Sequence, residues 1–196
     1  MITAEFFPTL IHAVDIPNPV NFNKHLEKNI LEWSRQDQGV QKTNVNGWHS
    51  PTDMASRPEY KPLVDELLKM QHEIYNKEHL DRAPVIGNMW ANINPPGAYN
   101  KPHVHPNCLF SGVYYVKSQP NSGRLRIMDP RQGAQLYMPI RKQGEVPQQL
   151  WREGLFEPLG GRIIMFPAWL WHEVEVNNSN DIRISVSFNF IQGGFA

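Results

Sequence analysis

Hydrophobic periodicity changes character near residue 80. Before it, Phe22, Leu26, Ile30 and Trp33 recur every three or four positions, the stripe an amphipathic helix turns toward a core. Asn18-Pro19-Val20 stands ahead of them, an N-cap residue type before a proline at the first helical position, which predicts a helix from about Val20 to Arg35. A second stripe, Tyr60, Leu63, Val64, Leu67, Leu68 and Ile74, follows Ser56-Arg57-Pro58-Glu59, whose spacing is that of a capping box and predicts a second helix. Between them, Gln36 to Asp53 is rich in Asn, Gln and Gly, keeps no period, and reads as loop with room for one short strand.

From Pro84 the pattern breaks into short runs bounded by turn residues: Val85–Asn94, Leu109–Lys117, Arg124–Met128, Gly161–Phe166, Trp169–Val176 and Ile182–Ile191. Six such runs in about 110 residues predict an antiparallel barrel or sandwich rather than βαβ units. The expected organisation is one domain over residues 1–196, with residues 1–83 as helical and loop support over one face and residues 84–192 as the β core. Arg131 to Pro158, rich in Gln and Pro, reads as a long loop, and a loop that long in a compact domain is either functional or holds regular structure that its weak period hides.

Composition narrows the classes. Nineteen Lys plus Arg balance nineteen Asp plus Glu, so no net field gathers polyanions and no nucleic-acid partner is expected. No apolar run approaches the roughly 20 residues of a membrane helix, so no membrane partner is expected either. A single cysteine, Cys108, and a start without a signal-peptide pattern point to a reducing cytoplasm, that of a bacterium or a phage-infected host cell.

Chemistry-bearing residues cluster in the second half. Lys101-Pro102-His103-Val104-His105-Pro106 sets two imidazoles at i and i+2, which in an extended chain share a face; the plain alternative is a polar turn before the strand at Leu109. Further on, the apolar run Gly161 to Phe166 closes at Pro167, and His172 follows five residues later. Alternation puts His172, Val174 and Val176 on one face and Glu173 and Glu175 on the other, so the His172 ring is expected to aim inward. Three such imidazoles are a set that suits a transition metal. In the last strand, Arg183, Ser185, Ser187 and Asn189 alternate with apolar residues. That polar face meets either water or a central cavity, and in a cavity an Arg with a Ser two residues on forms a carboxylate receptor.

His103-Val104-His105, His172 and Arg183-Ile184-Ser185 together resemble the ordered signature of the iron(II)- and 2-oxoglutarate-dependent oxygenases: His-x-Asp/Glu, a distal His, then Arg-x-Ser about ten residues later. Ser111-Gly112-Val113-Tyr114-Tyr115-Val116 and Phe166-Pro167-Ala168-Trp169-Leu170-Trp171-His172 are similar to a bacterial and phage subgroup, and Gly123-Arg124-Leu125-Arg126-Ile127 to prolyl-hydroxylase-like members. The likeness covers about Pro84 to Phe190. It implies a double-stranded β-helix, the jelly-roll barrel also used by cupins, mainly β with N-terminal helices. It implies iron(II) held by His103, His105 and His172, with Arg183, Ser185 and Tyr114 taking the distal carboxylate of 2-oxoglutarate. It implies an oxidoreductase, a dioxygenase of hydroxylase type, that consumes dioxygen, forms succinate and carbon dioxide, and oxidises a small molecule or a protein side chain. A homodimer stays open.

His105 departs from the pattern, standing where the family carries a carboxylate; it either ligates as a third imidazole or leaves a position for water or halide. Asn94 stands where related members carry a second co-substrate tyrosine. The rivals are a cupin-type three-His enzyme independent of 2-oxoglutarate, suggested by Gly97, Gly161 and Pro167 at cupin-like spacings, and a non-catalytic binding module. Asp129-Pro130-Arg131 reads as a charged turn, Trp90, Trp169 and Trp171 as core or rim aromatics, Cys108 as small packing, and histidines 12, 25, 49, 72 and 79 receive no role.

Overall fold

A computed structural model describes residues 1–80, 84–131, 133, 136 and 139–192. In chain order the elements are β1 (His12–Asp15), α1 (Val20–Gln36), β2 (Asn44–Val45), β3 (Trp48–His49), α2 (Lys61–Lys77), β4 (Pro84–Asn94), β5 (Tyr99–His103), β6 (Phe110–Lys117), β7 (Leu125–Met128), β8 (Glu153–Phe156), β9 (Arg162–Pro167), β10 (His172–Val174) and β11 (Arg183–Gln192). Six strands pair in the order β1-β9-β6-β11-β4-β3 and five in the order β2-β5-β10-β7-β8, every ladder antiparallel. The fold is the double-stranded β-helix, with both helices laid on the outer face of the larger sheet.

Period-two alternation sorts the larger sheet into two environments. Ile184, Val186, Phe188 and Phe190 of β11, Met89, Ala91 and Ile93 of β4, and Phe110, Tyr114 and Val116 of β6 share one buried cluster with Leu26, Ile30 and Trp33 of α1 and Leu63, Leu67, Met70 and Ile74 of α2. The alternate positions look into the barrel, where Val113, Leu125, Ile127, Ile164, Phe166 and Leu170 form a smaller apolar cluster between the sheets. Phe188 is fully buried midway along β11, and Gly112 on β6 makes room for it: a Cβ there would meet Phe188 Cε2 and the Ile164 carbonyl oxygen at 2.6 Å each. Phe188→Ala is expected to lower unfolding free energy by about 3–5 kcal/mol in urea titration, because neighbours pinned by two ladders cannot collapse into the gap.

Helix starts differ from the capping signals. Pro19, not Asn18, occupies the N-cap of α1 without a side-chain bond, and Asn18 turns the chain with φ +49°, a conformation asparagine tolerates. The expected capping box at Ser56 to Glu59 instead lies in two 3-10 turns, Met54–Ser56 and Pro58–Tyr60, and α2 begins five residues later at Lys61 with Pro62 in its first turn. Leu68 is exposed, so it drops from the apolar stripe.

The loop expected over Arg131–Pro158 carries a 3-10 turn at Gln148–Leu150 and the edge strand β8; its residues 132, 134–135 and 137–138 lie outside the described residues. Asp129 and Arg131 pair with each other at 2.9 Å, as a charged turn does. No helix among the described residues is long and apolar enough to cross a membrane.

Candidate active site

Strand pairing, not proximity in sequence, assembles the three imidazoles. In the β5–β10 ladder His103 is the direct partner of His172, and β7 flanks His172 on its other side at Ile127. His105 follows two residues after His103, its backbone held by an N–H bond of 3.0 Å to the Ala168 carbonyl. Ring centroids stand 4.2 Å apart for His103 and His172, 4.9 Å for His103 and His105 and 5.2 Å for His105 and His172. One nitrogen from each ring falls within 4.8 Å of the others, a spacing a single transition-metal ion can bridge.

Tautomers follow from the neighbours. His103 Nδ1 lies 2.7 Å from the Lys101 carbonyl oxygen and His172 Nδ1 lies 2.8 Å from that of Leu170. A carbonyl only accepts, so both Nδ1 atoms carry hydrogen and both Nε2 atoms keep a lone pair. Burial pulls His172 down to about 3 and His105 to about 4, with the neighbouring rings adding to the effect, and lowers His103 as well. All three are therefore neutral at pH 7, the form a metal takes. On the outer face of the smaller sheet, Glu173 pairs with Arg126 at 2.9 Å and Glu175 with Arg124 at 2.7 Å, so both glutamates point away from the barrel while His172 points in.

The polar face of β11 meets a cavity rather than bulk water. Arg183, Ser185, Ser187 and Asn189 line a space of about 440 Å³ together with the three histidines. Arg183 is 1% exposed; its Nη1 donates to the carbonyl oxygens of Ser122 and Gly123, while Nε has no partner among the described residues. Burial pulls its pKa down to about 10, so the guanidinium stays charged at neutral pH. The rows beside it hold more unsatisfied groups. Arg183 is the register partner of Asn94, and Ser185 is flanked by Asn92 and Tyr115; Asn94 Oδ1, Asn92 Oδ1 and Tyr115 Oη are all buried without a partner among the described residues. Buried polar atoms are rarely left unpaired, and Arg183 Nε, Tyr115 Oη and Asn92 Oδ1 belong to residues that line the cavity, so these three describe a receptor that a polar ligand completes; Asn94 is not among the lining residues.

Tyr114 is not part of this receptor, which corrects the assignment made from the Tyr114-Tyr115 pair. It faces the helical layer, where its hydroxyl donates to Asn23 Oδ1 of α1 and its ring meets Phe22. Tyr115, one residue on, points into the cavity, and burial pushes its hydroxyl up to about 12, keeping it a neutral donor. Adjacent tyrosines in a strand must face opposite ways.

His49, given no role from its spacing, is a cavity wall. It is the register partner of Asn92, is 5% exposed, and stacks on Trp90 at 5.2 Å and 9°, while Trp90 in turn approaches His105 at 5.8 Å. Only strand pairing brings it there. Trp169 and Trp171 are exposed at the surface, and Val176 lies past the end of β10 and is exposed too. Cys108 is partly buried, and burial raises its thiol pKa, so little thiolate forms.

Comparison with known proteins agrees with this geometry. The family described as "Putative 2OG-Fe(II) oxygenase" matches residues 88–189, just over half of the 196-residue chain. Among solved structures, the chain is similar to a Pseudomonas putida prolyl-4-hydroxylase (15% identity over 95% of this chain and 94% of that one, TM-score 0.68). It is similar also to a Trichoplax adhaerens prolyl hydroxylase in complex with a hypoxia-inducible-factor peptide (10% identity, 93% and 83%, TM-score 0.65). A third is HygX of Streptomyces hygroscopicus, solved with nickel and 2-oxoglutarate (12% identity, 96% and 85%, TM-score 0.65). No curated protein matches the chain. At these identities the structures show the shared double-stranded β-helix; the family match goes further, and by it the chain belongs to the 2-oxoglutarate- and iron(II)-dependent oxygenases.

Proposed function

We propose that the protein is a hydroxylase in which His103, His105 and His172 hold iron(II) and Arg183, with Tyr115 and Ser185, receives the distal carboxylate of 2-oxoglutarate. The observation that carries this reading is the meeting, in one cavity, of three neutral imidazoles and a buried guanidinium whose Nε has no partner among the described residues. When bound, iron(II) would activate dioxygen with 2-oxoglutarate as the two-electron reductant, which ends as succinate and carbon dioxide with one oxygen atom of the dioxygen, and the second oxygen atom would serve to oxidise an unactivated C–H bond of the substrate.

The chain's own residues do the rest. Nε2 of His103 and of His172 are held as lone-pair donors by carbonyls two residues back. Phe166, whose ring packs edge-on against His172 at 4.7 Å, together with Val113 and Leu125, walls that side with apolar surface and excludes water from the reacting centre. No Asp or Glu lies among the described cavity residues. Three uncharged ligands leave the full charge of the ion, and the dianionic co-substrate is what balances it. Substrate, a small molecule or a protein side chain, would share the cavity with Trp90 and His49, a cavity whose lining includes the exposed Lys42 and Thr52.

The test is an anaerobic titration of the ferrous protein with 2-oxoglutarate. A visible metal-to-ligand charge-transfer band is expected, and succinate is expected once dioxygen is admitted. Bound iron with neither band nor succinate returns the protein to the cupin-type reading.

A further inference from the structure

Two of the three histidines are oriented by main-chain carbonyls, Lys101 for His103 and Leu170 for His172. Among the described residues His105 has no such carbonyl. Its Nδ1 faces the side-chain amide nitrogen of Asn189 at 3.3 Å. An amide nitrogen only donates, so in this arrangement Nδ1 of His105 holds the lone pair and Nε2 holds the hydrogen, and a protonated Nε2 cannot bind a metal.

Asn189 belongs to a relay. Its Oδ1 accepts from the Ser111 hydroxyl at 2.5 Å and its Nδ2 donates to Asn88 Oδ1 at 2.7 Å. Both partners are reversible: a hydroxyl donates or accepts, and the partly buried Asn88 amide can present either end. A half-turn of the Asn189 amide about χ2 therefore exchanges oxygen and nitrogen with every bond kept and no movement of β11. Oδ1 then accepts from His105 Nδ1–H and from the turned Asn88, Nδ2 donates to Ser111 Oγ, and Nε2 of His105 is freed.

We propose that Asn189 is the positioning residue for this centre, a two-position amide switch that decides whether His105 is a metal ligand. Metal loading turns the amide. His105 releases the Nε2 proton to water and takes one at Nδ1, so the ring's charge is unchanged. With the amide turned, the ion has three protein ligands; unturned, it has two, and a further position is open to water or an anion. The inference rests on the reading that these histidines bind iron.

The experiment uses full-length protein labelled with ¹⁵N-histidine, titrated with zinc and followed by two-bond ¹H–¹⁵N spectra that report which ring nitrogen carries hydrogen. Metal-free His105 is expected as the Nε2–H tautomer, passing to Nδ1–H with Nε2 on zinc, while His103 and His172 are Nδ1–H throughout. Asn189→Asp, a fixed acceptor, is expected to hold His105 as Nδ1–H without metal and to bind zinc at least as tightly as wild type. Asn189→Leu is expected to weaken zinc binding about 10–100-fold, the scale of losing a ligand's orienting partner. Asn189→Ser repeats the loss with less disturbance of packing, and in a His105→Gln background the Leu variant is expected to add nothing. Zinc signals at His103 and His172 with none at His105, a metal-free His105 already Nδ1–H, or wild-type affinity in both the Leu and Ser variants overturns the switch alone. No zinc response at any of the three overturns it together with the metal-site reading.

Discussion

Arg183→Ala is expected to weaken 2-oxoglutarate binding by more than a hundredfold, the loss of about 3 kcal/mol or more that follows from removing charge-assisted hydrogen bonds in a dry site. The guanidinium is 1% exposed and anchored at Nη1 by two carbonyls, so its remaining donors are fixed before the ligand arrives. No reorganisation offsets the gain on binding. Because the same substitution leaves the Ser122 and Gly123 carbonyls unpaired, Tyr115→Phe and Arg183→Lys separate binding from folding. Tyr115→Phe removes a hydroxyl that has no partner, so it is expected to weaken the co-substrate about tenfold with stability unchanged. Arg183→Lys keeps the charge without the fork and is expected to fall between. Gly123→Ala acts from outside the cavity: Gly123 has φ +90°, and its new Cβ would collide with the Glu175 carbonyl oxygen and meet Arg183 Nη1 at 2.6 Å, so it is expected to push the guanidinium from its seat and to lower stability as well. Calorimetric titration of the zinc-loaded protein reads all four. Binding of 2-oxoglutarate to Arg183→Ala within threefold of wild type would remove Arg183 from the site.

What could be read from the residues alone is largely what period-two alternation encodes. It sorted β11 into an apolar and a polar face, put His172 inward and its flanking glutamates outward, and kept His103 and His105 together, and the structure has these orientations. Alternation has no absolute phase. Whether Arg183, Ser185, Ser187 and Asn189 meet water or a cavity depends on which side the helices lie, and only the packing of α1 and α2 on the Phe188 face decides it. The family resemblance points to Tyr114, one residue short of Tyr115, the tyrosine that faces the cavity. His49 was invisible for another reason: β3 is two residues long, too short for any period, and its role comes wholly from the pairing with Asn92 across 43 positions of chain (92 − 49). The start of α2 was misplaced because Ser56 to Glu59 satisfies a local capping pattern that Pro58 and Pro62 turn into 3-10 geometry.

His172→Phe is expected to abolish iron binding and to remove an acid-sensitive part of the metal-free protein's stability. The ring is 4% exposed, packed on Phe166 and held by the Leu170 carbonyl, so phenylalanine fits the space with neither lone pair nor proton. For the metal-free protein, burial sets the folded pKa of His172 at about 3 against 6.5 when unfolded. Between those values the unfolded chain holds a proton that the folded one refuses, so unfolding free energy rises with pH across the window and is lost as pH falls from 6.5. His105, at about 4, acts in the same direction. Paired carboxylates such as Asp15, Asp129 and Glu175 are also depressed, but they lose their contribution only below the ordinary carboxylate range, near pH 4. Urea unfolding between pH 6.5 and 5.5 therefore isolates the histidines, and the wild-type slope is expected to be reduced in His172→Phe. Added metal closes the argument from the other side. At a hundred times its dissociation constant, an ion that binds only the folded state adds about 2.7 kcal/mol, which for a chain of this size raises the melting temperature by roughly 5–10 °C. Wild type is expected to show that rise and His172→Phe none. An equal rise in both would mean that the ion binds elsewhere, and an unchanged pH slope would mean that His172 is not the buried neutral group its surroundings describe.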